Sequence, residues 1–289
     1  MKVIHDIDDM QQYCEDIRRN GKTIGFVPTM GALHEGHLTL VDEARTRSDV
    51  VVVSIFVNPT QFGPGEDFER YPRDLAGDAA KLTPRGADVI FNPAANVMYP
   101  KQCTTTVHVD GITHGLCGAH RPGHFDGVAL VVAKLFNIIG RCTAVFGRKD
   151  YQQLQVIRRF TTDLNMPVKI VGIPTVREPD GLAMSSRNAY LSADQRQRAL
   201  AISRALTDAH ELFHNRVPLE TIEEHVRKEV ILSFDTIDYV SLVDPDSLHP
   251  LDVDGRYPSR LLIAVAARIG NTRLIDNTVL GEDSPPVHR

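Results

Sequence analysis

The chain has 289 residues, of which 42% are hydrophobic and 24% are charged, and its formal net charge is -5. This length and composition indicate one large or two modest globular domains, and the acidic balance without a basic arm argues against nucleic acid as a partner. The chain has no apolar run long enough to span a bilayer and does not start like a signal peptide, so we expect a cytoplasmic protein that contacts no membrane.

In the first two thirds of the chain, strand-like segments alternate with helix-like segments. Apolar, β-branched runs fit parallel strands covered on both faces, and they predict strands at residues 23–27, 49–57, 88–91, 143–146 and 168–171. Helices are predicted at residues 37–45, 74–82, 128–139 and 151–164. This alternation predicts an α/β domain with a doubly wound parallel sheet, whose ligands bind beyond the carboxyl ends of the strands.

The pattern changes at Pro174, Pro179 and Gly181, which we interpret as a connection between domains. Ser192 and Gln195 have the spacing of a capping box and predict the start of a long helix. A second helix is predicted at residues 219–232, and strands are predicted at residues 237–243, 261–267 and 273–279. The sequence therefore predicts domains at residues 1–176 and 177–289, the second being smaller and of α+β type.

The most informative motif is Met30-Gly-Ala-Leu-His34-Glu-Gly-His37, which follows a predicted strand. A helix that starts in this turn offers backbone N–H groups and a favourable dipole to an anion. His34 and His37 share a helical face and could donate hydrogen bonds to phosphate as charge builds up at phosphorus. The segment lacks the Gly-Lys-Ser/Thr of a P-loop. The alternative is a pair of helix-cap histidines without a ligand.

Two further loops carry side chains suited to phosphate. Met184-Ser-Ser-Arg187 combines two hydroxyls with a guanidinium fork. In the loop after the strand at residues 143–146, Lys149 is a mobile point charge, and Asp150 and Gln153 could bind hydroxyl groups. Taken singly, each loop could also be a solvated, charged turn.

Asn58 and Gln61 lie on a Gly/Pro-rich loop that follows a buried strand. Gln61 is neutral and both donates and accepts hydrogen bonds, so it could hold a hydroxyl group and a carboxylate. The alternative is that these amides only stabilise the loop.

One cluster has the residue types of a zinc site at close spacing: His114, Cys117, His120 and His124. Three glycines and a proline between them indicate a loop. The cluster is therefore either a structural zinc site or a polar loop near a substrate pocket, and we assign no residue as a metal ligand. The four cysteines form no C-x-x-C pair, and we expect them to be free thiols.

Taken together, these segments and the Arg121-Pro-Gly-His-Phe125 loop resemble the pantothenate synthetase family, in its order and near its spacing, over residues 3–281. Two of the segments, His34-Glu-Gly-His37 and Met184-Ser-Ser-Arg187, also look like the paired ATP signatures of class I aminoacyl-tRNA synthetases and related nucleotidyltransferases. The resemblance implies a Rossmann-like, nucleotidyltransferase-type N-terminal domain that binds nucleotide and pantoate, and a C-terminal lid domain.

The resemblance also implies an ATP-dependent ligase of coenzyme A biosynthesis, which would act as a homodimer and require Mg2+. It would condense (R)-pantoate with β-alanine through a pantoyl-adenylate, releasing AMP and pyrophosphate. By residue-wise carry-over, His37 is the proton donor, and His34, Lys149 and Arg187 complete the catalytic set. The implied ATP-binding residues are Met30, Gly31, Ala32, Leu33, His34, Glu35, Gly36, His37, Gly147, Arg148, Lys149, Asp150, Val176, Met184, Ser185, Ser186 and Arg187.

The substrates pantoate and β-alanine are assigned to Gln61, Gln153 and Asn58. Arg148 departs from the Glu or Gln that we expect at its position in the family. Two other classes of protein stay open at this point, namely a nucleotidyltransferase that keeps the nucleotide in its product and a nucleic-acid-binding module built on a synthetase-like fold. The amides of Gln61 and Gln153 and the Arg121 loop argue against the first, and the acidic balance argues against the second.

Overall fold

The computed structural model describes residues 1–251 and 256–287. It divides into two compact units, each built from segments that are distant in sequence. Unit 1 comprises Met1–Gly111, Arg121–Arg148 and Gln153–Ile173, and unit 2 comprises Ile112–His120, Lys149–Gln152 and Pro174–Arg289. The division between residues 176 and 177 stays a prediction from sequence, and its second domain includes residues 252–255 and 288–289, which lie outside the described residues.

A parallel sheet of six strands, in the order β1-β4-β3-β2-β5-β6, forms the centre of unit 1. Its strands are β1 (Lys2–Ile4), β2 (Ile24–Thr29), β3 (Val50–Ile55), β4 (Val89–Phe91), β5 (Cys142–Gly147) and β6 (Val168–Ile173). All six residues of β3 are buried, as expected for a parallel strand covered on both faces. The predicted doubly wound α/β class is confirmed.

Helices connect these strands and cover the sheet. They are α1 (Ile7–Arg19), α2 (Glu35–Arg47), α3 (Leu75–Leu82), α4 (Ala95–Met98), α6 (His124–Ile139) and α7 (Tyr151–Asp163). The short helix α5 (Leu116–His120) precedes α6 in the chain and belongs to unit 2. The sequence analysis missed β1, α1 and the short helices α4 and α5. The N-terminus of α1 is stabilised by Asp6, whose side chain accepts hydrogen bonds from the amides of Asp8 and Asp9, which is a local signal for a helix start.

The strand order reverses between β2 and β5. From β2 the chain moves outward through β3 to β4, and it then returns to β5 on the other side of β2. In doubly wound sheets, ligands bind at such a switch point, outside the carboxyl ends of the strands. The segments that leave these two strands are residues 30–37, which lead into α2, and residues 147–148.

Besides α5, unit 2 contains an antiparallel sheet in the order β7-β8-β9 and two longer helices. Its elements are α8 (Ala193–His214), α9 (Leu219–Ile231), β7 (Thr236–Val243), β8 (Leu261–Ile269) and β9 (Thr272–Leu280). The predicted capping box is confirmed, because the Ser192 hydroxyl accepts from the Gln195 amide while the Gln195 side chain accepts from the Ser192 amide. The helices and the sheet share one apolar core, and the predicted α+β character is confirmed.

Within residues 1–251 and 256–287, no helix has the length and apolar character needed to cross a membrane.

Gly127 of α6 packs directly against the turn Pro59–Gln61. A Cβ atom at this position would lie 2.3 Å from the Thr60 carbonyl oxygen. A Gly-to-Ala change inside a helix normally stabilises by up to about 1 kcal/mol, but we expect Gly127→Ala to destabilise by about 1–3 kcal/mol because of overpacking. Urea unfolding measures the difference. Gly115→Ala, where a Cβ would meet nothing within 4 Å, is the control, and a Gly127→Ala variant that matches this control would contradict the packing argument.

Candidate active site

The loop between β2 and α2 is held by a buried carboxylate from α3. Asp78 is 2% exposed, and its Oδ2 and Oδ1 atoms accept the backbone N–H groups of Ala32 at 2.9 Å and Leu33 at 2.8 Å. One turn further along α3, Lys81 Nζ donates to the Leu33 carbonyl oxygen at 2.7 Å and lies 4.0 Å from Asp78. Leu33 is therefore hydrogen-bonded to α3 through both its backbone N–H and its backbone C=O group.

Two consecutive residues of this loop have left-handed backbone conformations, with φ values of +82° at Gly31 and +52° at Ala32. Glycine adopts this conformation at no steric cost, whereas alanine does not. A Cβ atom at Gly31 would also lie 2.9 Å from Asp78 Oδ2 and 3.0 Å from Ile55 Cγ2. The loop thus requires glycine at this position both for its conformation and for its close approach to α3.

The site can therefore offer an anion the start of α2 but not the amides of Ala32 and Leu33, which already donate to Asp78. The first amides of a helix have no intrahelical acceptor, and in α2 these belong to Glu35 and Gly36. Among the predicted ATP-binding residues, these two are the ones whose backbone geometry suits phosphate best.

His34 and His37 lie together at this helix start, with ring centroids 4.1 Å apart. The His37 amide donates to the His34 carbonyl oxygen at 2.8 Å, and the His34 amide donates to His37 Nδ1 at 3.4 Å. A backbone N–H can only donate, so Nδ1 of His37 is an acceptor, and in the neutral ring the proton lies on Nε2. His37 can therefore cap the helix and donate a hydrogen bond to a ligand at the same time, because the cap uses Nδ1 and donation would use Nε2.

Asn58 lies at the carboxyl end of β3, where it is 1% exposed. Its Nδ2 donates to Gln61 Oε1 and to the Gly127 carbonyl oxygen, both at 3.1 Å. Its Oδ1 accepts from Tyr99 Oη at 2.8 Å and from Thr60 Oγ1 at 2.9 Å. Both N–H groups of Asn58 are used inside the protein, so its direct effect is to orient the side chain of Gln61, whose Nε2 lies 3.2 Å from Met30 Sδ.

A charged network supports the backbone at Gln61. Arg121 binds both carboxylate oxygens of Glu66, at 2.7 and 2.6 Å, and donates to His124 Nε2 at 2.9 Å. A guanidinium can only donate, so the neutral His124 ring carries its proton on Nδ1 and donates to the Gln61 carbonyl oxygen at 2.8 Å. Burial acts to raise the pKa of Glu66, but the hydrogen bonds and charge of Arg121 outweigh it and hold that pKa below its usual value.

The other predicted residues of unit 1 lie at the neighbouring strand and in α7. Gly147 ends β5, and a Cβ atom there would meet nothing within 4 Å. Arg148 follows it and is partly buried, and Gln153 is partly buried in α7. Unit 1 therefore brings residues 30–37, Gln61 and Gly147 to the carboxyl edge of one sheet.

In unit 2, two adjacent residues of β9 contact the Lys149 segment and the hairpin that precedes the predicted segment from Met184 to Arg187. Asn277 Nδ2 donates to the Lys149 carbonyl oxygen at 2.7 Å. Arg177 makes a two-pronged contact with Asp276, which is 5% exposed, at 2.6 and 3.0 Å. The Lys149 ammonium lies 3.8 Å from the carboxylate of Asp150.

The segment from Met184 to Arg187 continues from a short hairpin. The Met184 amide donates to the Val176 carbonyl oxygen at 3.0 Å, and Arg177 pairs with Ala183 across the hairpin. The Ser185 hydroxyl then accepts from the Arg187 amide at 3.3 Å. Met184, Ser185, Ser186 and Arg187 are all partly buried in this ordered turn rather than in a fully solvated one.

Sequence reasoning missed Asp78, Lys81, Glu66, Asp276 and Asn277. One of them had a signal: Asp78 lies with Leu75, Ala79 and Leu82 at the spacing of an apolar helix face, where a carboxylate needs a specific partner. In the described ranges, no group of three His, Cys, Asp or Glu side chains is placed to hold a metal ion.

A six-stranded parallel sheet with a helix that starts at its switch point defines the class: a Rossmann-like α/β protein. A family model described as pantoate-beta-alanine ligase matches residues 2–279. The chain is 53% identical over 285 residues to the pantothenate synthetase of Geobacter sulfurreducens, covering 98% of this chain and 100% of that protein. The chain belongs to the pantoate–β-alanine ligase family, and the ligase class predicted from the sequence is confirmed.

Two solved structures are similar over nearly the whole chain. The pantothenate synthetase from Thermus thermophilus superposes with a TM-score of 0.90 at 44% identity, covering 96% of this chain and 99% of that one. The pantoate-beta-alanine ligase from Francisella tularensis, complexed with beta-gamma ATP and beta-alanine, gives a TM-score of 0.78 at 33% identity and 99% coverage of both chains.

The pairing of Glu66 with Arg121 makes stability depend on pH. A carboxyl group with a depressed pKa in the folded state stabilises above its unfolded pKa of about 4.3 and loses this contribution as the pH falls through its folded pKa. We expect Glu66→Gln to be less stable than the parent at pH 7 by about 1 kcal/mol. The gap should shrink once the pH drops below about 4.3. Urea unfolding between pH 7 and pH 3 measures the difference in the free energy of unfolding between the parent and Glu66→Gln. A difference that does not change with pH would contradict a stabilising ion pair.

Proposed function

We propose that the chain is an ATP-dependent ligase that condenses (R)-pantoate with β-alanine to give pantothenate through a pantoyl-adenylate, releasing AMP and pyrophosphate. Family membership supports the overall reaction. The observation that supports the adenylate mechanism is the position of His34 and His37, whose rings lie 4.1 Å apart at the start of α2, next to the switch point of the sheet. The product would feed coenzyme A biosynthesis.

The reaction has two displacements. A carboxylate oxygen of pantoate bonds to the α-phosphorus as the bond to the bridging oxygen breaks, and pyrophosphate leaves with the electron pair. The amine of β-alanine then bonds to the acyl carbon, AMP leaves with that carboxylate oxygen, and the nitrogen releases its excess protons. Activation is needed because a carboxylate alone would have to expel an oxide, and orienting the two reactants can supply several kcal/mol of the barrier.

The histidines act on the first displacement. Negative charge grows on the phosphate oxygens and on the departing pyrophosphate, and the neutral His37 ring carries its proton on Nε2 because Nδ1 accepts from the His34 amide. A donor aimed at developing charge is worth about 10²–10³ in rate. We assign His37 as the proton donor and His34 as its neighbour on the phosphates.

The remaining assignments follow the chemistry of the side chains. We propose that Lys149 and Arg187 neutralise phosphate charge as catalytic residues and that Gln61 and Gln153 bind pantoate, with Gln61 also facing β-alanine. Asn58 contributes to the pantoate subsite through Gln61. The residues that complete the ATP subsite are Met30, Gly31, Ala32, Leu33, Glu35, Gly36, Gly147, Arg148, Asp150, Val176, Met184, Ser185 and Ser186.

Mg2+ would enter with ATP. The described residues contain no preformed group of three metal-ligating side chains, and Mg2+ commonly keeps water and phosphate oxygens as most of its ligands. Mg2+ would therefore neutralise phosphate charge, and no step is assigned to a protein-held metal. We also propose a cytoplasmic homodimer that binds small molecules and no nucleic acid.

The proposed function predicts pyrophosphate exchange before any amine is present. Pantoate and Mg-ATP alone should support incorporation of labelled pyrophosphate into ATP, because the adenylate forms reversibly, and β-alanine should then release AMP. Omitting pantoate is the control. Release of ADP, or the absence of exchange while pantothenate still forms, would contradict the adenylate. A nucleotidyltransferase would leave AMP inside a stable product, and a nucleic-acid-binding module would show no exchange.

Substitutions at His37 separate its cap from its donor role. His37→Gln and His37→Glu both place an acceptor where the His34 amide can reach it, since Gln and Glu are the usual residues of a capping box. Only Gln keeps a donor, and Glu adds negative charge beside the phosphates. We expect similar thermal stability for the two variants, while the exchange rate of His37→Glu falls by at least about 10²–10³ and that of His37→Gln falls less.

Steady-state kinetics and thermal unfolding of the two variants make this comparison. Equal exchange rates in His37→Gln and His37→Glu would show that His37 serves only as a cap and would remove its role as donor.

A further inference from the structure

Asp78 has an unusual position for a residue beside a polyphosphate site, because its charge has the same sign as the ligand. It belongs to α3, is 2% exposed, and is reached by no predicted substrate contact. A buried carboxylate is costly unless it is paired and hydrogen-bonded. The presence of a carboxylate at this position therefore indicates a structural role that a neutral side chain would perform less well.

That task is visible in the hydrogen bonds. Two adjacent N–H groups, of Ala32 and Leu33, converge on Asp78 and need two acceptor oxygens. A carboxylate provides both, whereas an Asn side chain provides one and turns N–H donors toward the other amide. The Lys81 ammonium, 4.0 Å away, offsets part of the charge.

The held segment leads directly into the catalytic pair. Leu33 immediately precedes His34, the cap residue of α2, and its N–H and C=O groups are bound by Asp78 and Lys81 respectively. Ala32 is kept in the left-handed region, with φ at +52°, which an alanine does not favour without external bonds. The direction in which the chain enters α2 is thus determined by α3.

We propose that Asp78 is the positioning residue of the adenylation half-reaction, which aligns His34 and His37 with the α-phosphorus by fixing the backbone of residues 31–33. It acts through that backbone and touches no substrate. The inference rests on the proposed function, because it concerns the step in which pantoate attacks ATP. Attack of β-alanine on the finished adenylate does not need the phosphate donors in the same alignment.

The test compares Asp78→Asn with Asp74→Asn. Asp74 caps the same helix by accepting from the Gly77 amide at 2.9 Å, and Asn is an equally good cap, so this control makes the same chemical change without touching the loop. Adenylate formation is followed by rapid mixing of enzyme, pantoate and Mg-ATP with pyrophosphatase present. After this step is complete, β-alanine is added and the release of pantothenate in the first turnover is timed.

We expect Asp78→Asn to slow adenylate formation by about 100-fold, the usual effect of a misplacement of about 1 Å, and to change the β-alanine step by less than about threefold. Asp74→Asn should match the parent in both steps. A loss of the same size in both steps would show a merely structural role, and no loss in either would show no role; both results overturn the proposal.

If Asp78→Asn does not fold, Lys81→Met replaces it, because the Lys81 side chain is 50% exposed and its loss should be tolerated. It removes the bond to the Leu33 carbonyl oxygen and should slow adenylate formation selectively, by about tenfold; an unselective loss or none overturns the proposal. The parent enzyme tests the proposed function separately. If the parent forms no adenylate, the proposed function is wrong. If the parent forms the adenylate normally but the variants slow both steps equally, only the role of Asp78 is rejected.

Discussion

The structure of the loop between β2 and α2 depends on one buried carboxylate that binds two adjacent backbone amides. Asp78 accepts the N–H groups of Ala32 and Leu33 and so holds a loop with two consecutive left-handed residues. Because these amides already donate to Asp78, we propose the first turn of α2 and its imidazoles, rather than the loop amides, as the phosphate contacts. The loop thereby differs from a P-loop, in which backbone N–H groups surround the phosphates.

Unit 2 uses the same principle with different residues. Asp276 of β9 binds Arg177, in the hairpin before Met184, and Asn277 of β9 binds the carbonyl oxygen of Lys149. In both units a buried polar side chain from a helix or strand holds the backbone of a loop that carries predicted site residues. Removing one partner from such a buried pair is costly, because the other is left unsatisfied.

Much of the fold could be predicted from local pattern, because parallel strands such as β3 are apolar throughout and the capping box at Ser192 is a short-range signal. The three-residue strand β1 was missed because so short a segment carries no periodicity. The contacts of Asp78 and Asn277 could not be predicted from local sequence, because they join residues that are 45 and 128 positions apart. Asn58 carried the residue type of a substrate ligand, but its burial and its five internal hydrogen bonds depend on tertiary structure.

The central claim is that ATP activates the carboxylate of pantoate by transfer of its adenylyl group. The most direct test is the fate of oxygen-18 placed in that carboxylate. The oxygen that attacks phosphorus leaves with the nucleotide, so mass spectrometry should find one labelled oxygen in the released AMP and one in the amide carbonyl of pantothenate. Unlabelled AMP, with the label in inorganic phosphate or pyrophosphate instead, would contradict the account.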